Sequence, residues 1–406
     1  MNYLKADYIV CCDDDFTVIK DGAIVFNDKI IDIDTQETLE QKYTNADFEY
    51  MGQNSVLMPG LINSHVHLEF SGNKTTLKYG NFVQWLFSVM ANREEVIEKA
   101  TPQLIKKELD DMLQSGVTTV GAISSYGFDM QNCIDAKQTI VYFTEALGSK
   151  ADMIDTLFLD FKEKLNSAIK YQDDRFIPAI AIHSPYSTHP FLIREILKIA
   201  KDQNLAVSTH FQESKAESDW LNYNTGEFEQ FFSDILNQKE AMTNPSDFLY
   251  QFKGLKNLSF THCVEANEKE LNQIKELNGT IIHCPNSNRL LNNSALNLSY
   301  LNNISLAIGT DGLSSNHSLN LFEELRNALY IHTNFEPNEL SQKLLIGSTN
   351  GGGVALGLNK GILQKDYDAD IISFYLPDSC EDLDTIATHI ILHNSKINKL
   401  YINGAQ

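Results

Sequence analysis

Four places in this chain put metal-ligand chemistry at the end of an apolar run. His65 and His67 close the first, Pro59-Gly-Leu-Ile-Asn-Ser-His65-Val-His67. Residues two apart on a strand point to the same side, so both imidazoles address one point. Ser208-Thr-His210 ends the second run, with Gln212 and Glu213 just beyond. Thr261-His262-Cys263 ends the third, and Gly309-Thr310-Asp311-Gly312 the fourth. Singly, each is ordinary: a strand-end histidine is more often a satisfied polar residue, and Asp-Gly is a common turn pair. Four together are not. Three imidazoles and a carboxylate suit a divalent ion, zinc or iron(II).

That set points to hydrolysis. A bound cation lowers the pKa of its water from about 16 towards roughly 7, and Asp311 is a carboxylate able to take the proton. Glu213, just past His210, can move a proton to a ring nitrogen and on to a leaving group. Attack on an sp² ring carbon bearing an amine then expels ammonia and leaves a carbonyl. A glutamate there fits hydrolytic deamination better than ester or phosphoester hydrolysis.

To bring these side chains together, the chain must align the strands that carry them. Strand-length apolar runs recur at Leu57–Ile62, Val117–Ile123, Thr139–Phe143, Phe176–Ile182, Leu205–Ser208, Leu258–Thr261, Thr280–Ile282 and Ser305–Ile308. Amphipathic helix-length segments lie between most of them, among them Glu94–Leu113, Met153–Tyr171, Phe191–Lys201, Glu268–Leu277 and Leu319–Ile331. The alternation predicts an α/β fold, a (β/α)8 TIM-type barrel with its site at the C-terminal ends of the strands; a doubly wound sheet is the rival. Both chain ends read as short strands and turns, too few at either end for a stable sheet, so they are expected to pair into one small β-sandwich. The expected divisions are residues 1–56 and 357–406 for that sandwich and 57–356 for the barrel.

Composition narrows the partners. The 406 residues carry 32 Lys and Arg against 54 Asp and Glu, a formal charge of −22, which repels phosphate backbones and anionic lipid. No nucleic-acid or membrane role is expected, and neither a signal peptide nor a spanning segment is read. Six scattered cysteines without a CxxC pair predict reduced, buried thiols in a cytoplasmic protein. Gly351-Gly352-Gly353 imitates a phosphate loop, but no Gly-Lys-Ser/Thr follows; a tightly packed helix start fits better.

The ordered motifs ending at His67, at His210-Phe-Gln-Glu213, at Thr261-His262-Cys263 and at Gly309-Thr310-Asp311-Gly312 resemble the amidohydrolase superfamily, in its branch of cytosine-deaminase-like and adenosine-type deaminases and chlorohydrolases. The resemblance covers nearly the whole chain. It implies that His65, His67, His210 and Asp311 bind one metal ion, that Glu213 shuttles protons, and that His262 hydrogen-bonds the nucleophile or the tetrahedral intermediate. Branches with two metals carry a modified lysine on the fourth strand; Phe176–Ile182 has none, which favours one ion. A homodimer is the arrangement common in that superfamily.

The loops set substrate choice. His67-Leu-Glu69, followed by Phe82-Val-Gln-Trp85-Leu and then Arg93, looks like the corresponding element of bacterial aminodeoxyfutalosine deaminases of menaquinone synthesis, which act on a small-molecule nucleoside bearing a benzoate. On that likeness Phe82 and Trp85 pack an aromatic ring, Glu69 accepts from a ribose diol and Arg93 meets a carboxylate. Helical spacing also makes Phe82 and Trp85 candidates for ordinary core packing. His183, in His183-Ser-Pro-Tyr-Ser-Thr-His189-Pro190, resembles a substrate-contacting histidine, while His189 reads as a helix-entry residue. His283-Cys-Pro-Asn-Ser-Asn288 reads as a shaped loop backing the site. The alternatives are adenosylhomocysteine or methylthioadenosine deamination, then guanine deaminase or triazine-type chlorohydrolase, and, from another class, a scaffold without catalysis.

Overall fold

Eight parallel strands carry the functional motifs. In the computed structural model, which describes residues 1–72, 75–301, 303–394 and 396–406, these are β6 (Leu61–Val66), β7 (Val117–Ser124), β8 (Thr139–Ala146), β9 (Phe176–Ile182), β10 (Val207–Phe211), β11 (Leu258–His262), β12 (Thr280–His283) and β13 (Ser305–Ile308). Each pairs in parallel with the next. The outer two meet across a seam where the Asp311 N–H donates to the His65 carbonyl at 3.0 Å. There the Asn63 amide also brackets Thr310, donating to its hydroxyl at 2.7 Å and accepting from its N–H at 3.1 Å. The result is the (β/α)8 barrel.

The remaining strands are β1 (Asn2–Val10), β2 (Val18–Phe26), β3 (Ile30–Thr35), β4 (Glu49–Tyr50), β5 (Ser55–Pro59), β14 (Ile371–Tyr375) and β15 (Lys399–Tyr401). They form one mixed seven-stranded sheet in which β14, from the C-terminal end, lies antiparallel to β5. Leu57–Pro59 therefore belongs to this sheet, and the first barrel strand begins only at Leu61. A single residue, Gly60, separates the two: a Cβ there would lie 2.1 Å from the Thr118 hydroxyl, so no larger side chain lets the chain step from sheet to barrel.

Alternation along the strands turns Ile123, Val141, Phe143, Ala179 and Ala181 into one buried cluster inside the barrel, joined by Ala206 just ahead of β10. Leu356 of helix Asn350–Leu356 completes that cluster at the N-terminal end. The glycine triplet lies in this helix, pressed so closely on the strands that a Cβ at Gly351 would sit 1.9 Å from the Leu306 carbonyl. One expected helix is two: Thr101 caps a new start at Pro102, so Glu94–Leu113 breaks into Arg93–Lys99 and Pro102–Gln114. All six cysteines are free and buried. Among the described residues no helix is long and apolar enough to cross a membrane.

Candidate active site

The strand ends converge as their spacing requires. Register shifts in the β6–β7 pairing turn His65 and His67 inward beyond Ile62. One nitrogen each of His65, His67 and His210 lie within 4.8 Å of one another. Asp311 approaches from the seam, its Oδ1 3.9 Å from His65 Nε2 and 3.7 Å from His67 Nε2. Glu213, His262 and Asp311 form an adjoining group of the same tightness, with His262 Nε2 3.6 Å from Glu213 and 4.0 Å from Asp311. All six side chains are buried.

The outer contacts fix how each group presents itself. His210 donates from Nδ1 to the His183 carbonyl at 2.7 Å, which leaves Nε2 as a lone pair. That lone pair faces His67 Nε2 at only 3.3 Å, and His65 Nε2 is buried with no hydrogen-bond partner. Three imidazole nitrogens crowded beside a carboxylate, that of His65 buried without any partner, form the donor set of a divalent ion, so the residues present fit one. His65 Nδ1 meets the Thr261 hydroxyl at 3.3 Å. Asp311 accepts from Ser287 at 2.7 Å, Ser315 at 3.0 Å and the Gly312 N–H at 2.7 Å. His262 donates from Nδ1 to Asn288 Oδ1 at 2.9 Å, so its Nε2 lone pair points at Glu213. His262 and Cys263 have φ of 73° and 53°, a left-handed pair that turns the ring into the site.

Burial sets the protonation states. It lowers His67 to about 3 and both His183 and His262 to about 4, so these imidazoles are neutral at pH 7, as ligands and acceptors must be. Burial would raise Asp311, but the imidazoles around it, His67 foremost, outweigh that and hold it below the usual carboxylate range. Glu213 goes the other way: burial, then the Asp311 and Glu217 carboxylates, push it well above its ordinary value. Two carboxyls near one point are thus driven apart, one to accept and one to carry a proton.

These groups form the floor of a cavity of about 470 Å³. Helix Phe82–Ala91 gives one wall, with Phe82, Trp85, Leu86, Val89 and Met90 all lining it, and helix Glu227–Leu236 faces it with Phe231, Phe232, Ile235 and Leu236. The Trp85 indole N–H is held by the Ser314 carbonyl at 2.9 Å. Phe82 serves both as cavity lining and as core, packed on Trp85 and Phe228. Arg93 lines the cavity with its guanidinium 4.9 Å from the centre of the Tyr126 ring. His183 lines it as well, its Nδ1 tied to Ser187 at 2.6 Å.

Glu69 is not brought to this cavity. It is fully buried beneath the loop after β7, where its two oxygens accept from the N–H groups of Ser125, Tyr126, Gly127 and Phe128 and from the Ser124 hydroxyl. With both oxygens engaged by the chain, none is left for a ribose; Glu69 shapes the loop that carries Tyr126. His189 caps helix Pro190–Gln203, and His283 turns away from the cavity to meet His332 at 2.9 Å.

Three residues with a bearing on the site were not singled out in the sequence, and two more lay without an assigned partner inside the His283–Asn288 loop read as backing it. Ser287 and Asn288 hold Asp311 and His262, and Glu217 accepts from the N–H groups of Gln212 and Glu213 at 3.0 and 2.8 Å. Lys150 and Glu145 line the cavity. Glu145 had a readable signal: it shares strand parity with Val141 and Phe143, which face the barrel interior.

A barrel with a buried three-histidine, one-aspartate centre at the C-terminal strand ends, and an acid poised beside it, is the architecture of a metal-dependent hydrolase. Its family model matches residues 56–406, and the chain belongs to the amidohydrolase family. It is 45% identical to an aminodeoxyfutalosine deaminase of a Nitratiruptor species over 390 residues, 96% of each chain. It is 33% identical to an adenosine deaminase of Helicobacter pylori, covering 99% of this chain and 98% of the other. The crystal structure of Helicobacter pylori aminofutalosine deaminase in complex with methylthio-coformycin superposes with a TM-score of 0.94 at 32% identity, covering 100% of this chain and 99% of that one.

Proposed function

We propose that this chain is a metal-dependent deaminase that hydrolyses the 6-amino group of an adenine nucleoside, with 6-amino-6-deoxyfutalosine of menaquinone synthesis as its substrate. The observation that carries the reading is the union in one cavity of a floor suited to deamination, an apolar wall and two further lining cations, Arg93 and Lys150. An adenine fits the floor, and an aromatic tail ending in a carboxylate fits the wall. The identity to the Nitratiruptor enzyme supports the same assignment. The triazine and guanine alternatives supply no anion for those cations.

His65, His67, His210 and Asp311 would hold the ion, and nitrogen-rich donors of this kind suit zinc first and iron(II) second. When bound, the ion supplies Lewis acidity, making water acidic enough to attack at neutral pH. Asp311, held ionised, accepts the proton of the attacking water. Glu213, held protonated, donates to the ring nitrogen next to the reacting carbon, which makes that carbon electrophilic. The His262 Nε2 lone pair orients the attacking O–H against one face of the ring. Proton return to the amine releases ammonia, and the carbonyl forms.

Purified, metal-analysed protein should be incubated with aminodeoxyfutalosine, adenosylhomocysteine, methylthioadenosine, adenosine and guanine while ammonia is followed. Fast turnover of the first, with one equivalent of metal, is expected. Faster turnover of adenosylhomocysteine would overturn the substrate assignment, and ammonia from none of them with metal bound would overturn deamination itself.

A further inference from the structure

Glu145 ends β8 on the barrel's interior face, lines the cavity and is only 3% exposed. One of its oxygens accepts the Ser125 hydroxyl; the other, Oε1, has no hydrogen-bond partner. A buried carboxylate oxygen without a donor is costly, and the cost is removed by a ligand that brings one. The group sits beside the floor, with one atom each of Glu145, His183 and His210 lying within 4.8 Å of one another.

That triad does not hold a second ion. His210 Nδ1 is taken by the His183 carbonyl and its Nε2 faces His67, so no nitrogen of His210 is left over for another metal. The donors of an adenine nucleoside decide what Glu145 meets instead. Its only N–H donors are on the 6-amino group, which the proposed function places at Glu213 and His262, at the opposite end of the purine from the sugar. The remaining donors are hydroxyls.

Resting on that reading, we propose that Glu145 and Ser125 form the sugar subsite, Glu145 accepting one hydroxyl of the ribose diol and the Ser125 oxygen, whose own proton goes to Glu145, accepting its neighbour. This moves to Glu145, on a different strand, the diol contact that the resemblance implied for Glu69.

The test compares aminodeoxyfutalosine with its 2′,3′-dideoxy analogue on wild-type enzyme and on Glu145→Gln. Hydrogen bonds to a buried charge predict that wild type prefers the diol by about 100-fold or more in kcat/KM, chiefly through KM. In Glu145→Gln that ratio should shrink at least about tenfold, with metal content and melting temperature retained. A wild-type preference under about threefold, or a Glu145→Gln ratio unchanged from wild type, would overturn the subsite. The analogue comparison on wild type needs no variant to fold. Absence of ammonia from aminodeoxyfutalosine itself would overturn the functional reading, and this inference with it; turnover of the parent with no preference for the diol overturns the subsite alone.

Discussion

The floor and the wall of the cavity are built on different rules. The floor comes from strand ends, each side chain locked by a named partner: His210 by a carbonyl, Asp311 by Ser287, Ser315 and Gly312, His262 by Asn288. The wall comes from helices Phe82–Ala91 and Glu227–Leu236, whose apolar side chains touch one another and few polar partners. A floor held by directional bonds tolerates little change in geometry. A wall held by packing can be re-lined without disturbing the chemistry. Reaction type and substrate choice thus reside in separable parts of the molecule.

That contrast can be broken most violently at the proton shuttle. Glu213→Gln should lower kcat about 10³-fold or more with metal content and folding unchanged; a loss under about tenfold would mean that another group carries the proton. Next comes Asn288→Ala, which frees the His262 ring while leaving every candidate metal ligand in place. It should cost about 10- to 100-fold in kcat, and nitrogen NMR of labelled histidine should show a mixture of tautomers where wild type shows Nδ1–H alone. Among the cations lining the cavity, Arg93→Ala and Lys150→Ala should each raise KM for a carboxylate-bearing nucleoside about tenfold and leave adenosine nearly unaffected. Equal losses on both substrates would erase the proposed division between chemistry and selection.

The smallest effect concerns stability. Burial raises Asp129 and Glu324 to about 8 and Glu217 to about 7, so between about pH 7 and 9 the folded chain gives up protons that the unfolded chain has already released. The unfolded state then binds fewer protons, and stability falls as pH rises. The buried histidines contribute below that window, where their unfolded forms take up protons and acid is destabilising. Melting temperature should therefore decline by a few degrees from about pH 7 to 9 and level off above it. Glu324→Gln should flatten that decline; an undiminished slope would show that Glu324 is ionised in the folded state.

Much of this was legible in the sequence, and its gaps have physical causes. The floor's candidate ligands were readable because strand parity and the barrel's polarity dictate where such side chains point. Glu145 escaped because the apolar run was ended at Phe143, whereas β8 continues to Ala146. Glu69 was assigned a ligand because sequence gives its adjacency to His67 but not which side of the loop it faces; the structure turns it under four backbone N–H groups. Ser287 and Asn288 lay inside a motif already noted as backing the site, yet their partners are on other strands, a relation that no single-sequence spacing encodes. Lys150 was missed because a mouth residue of a cavity has no periodicity to betray it.

The seam beside the ligands also bears on how the protein is made. Asn63 and Thr310 close the barrel across 247 residues of chain, and His65 and Asp311 adjoin them. A ribosome releases the histidines of the first barrel strand long before the aspartate that completes their set exists, and contacts of such sequence separation form late. The growing chain therefore carries, for most of its synthesis, an open sheet edge and an unfinished ligand set. The four candidate ligands thus come together only as the barrel closes, late in its biogenesis.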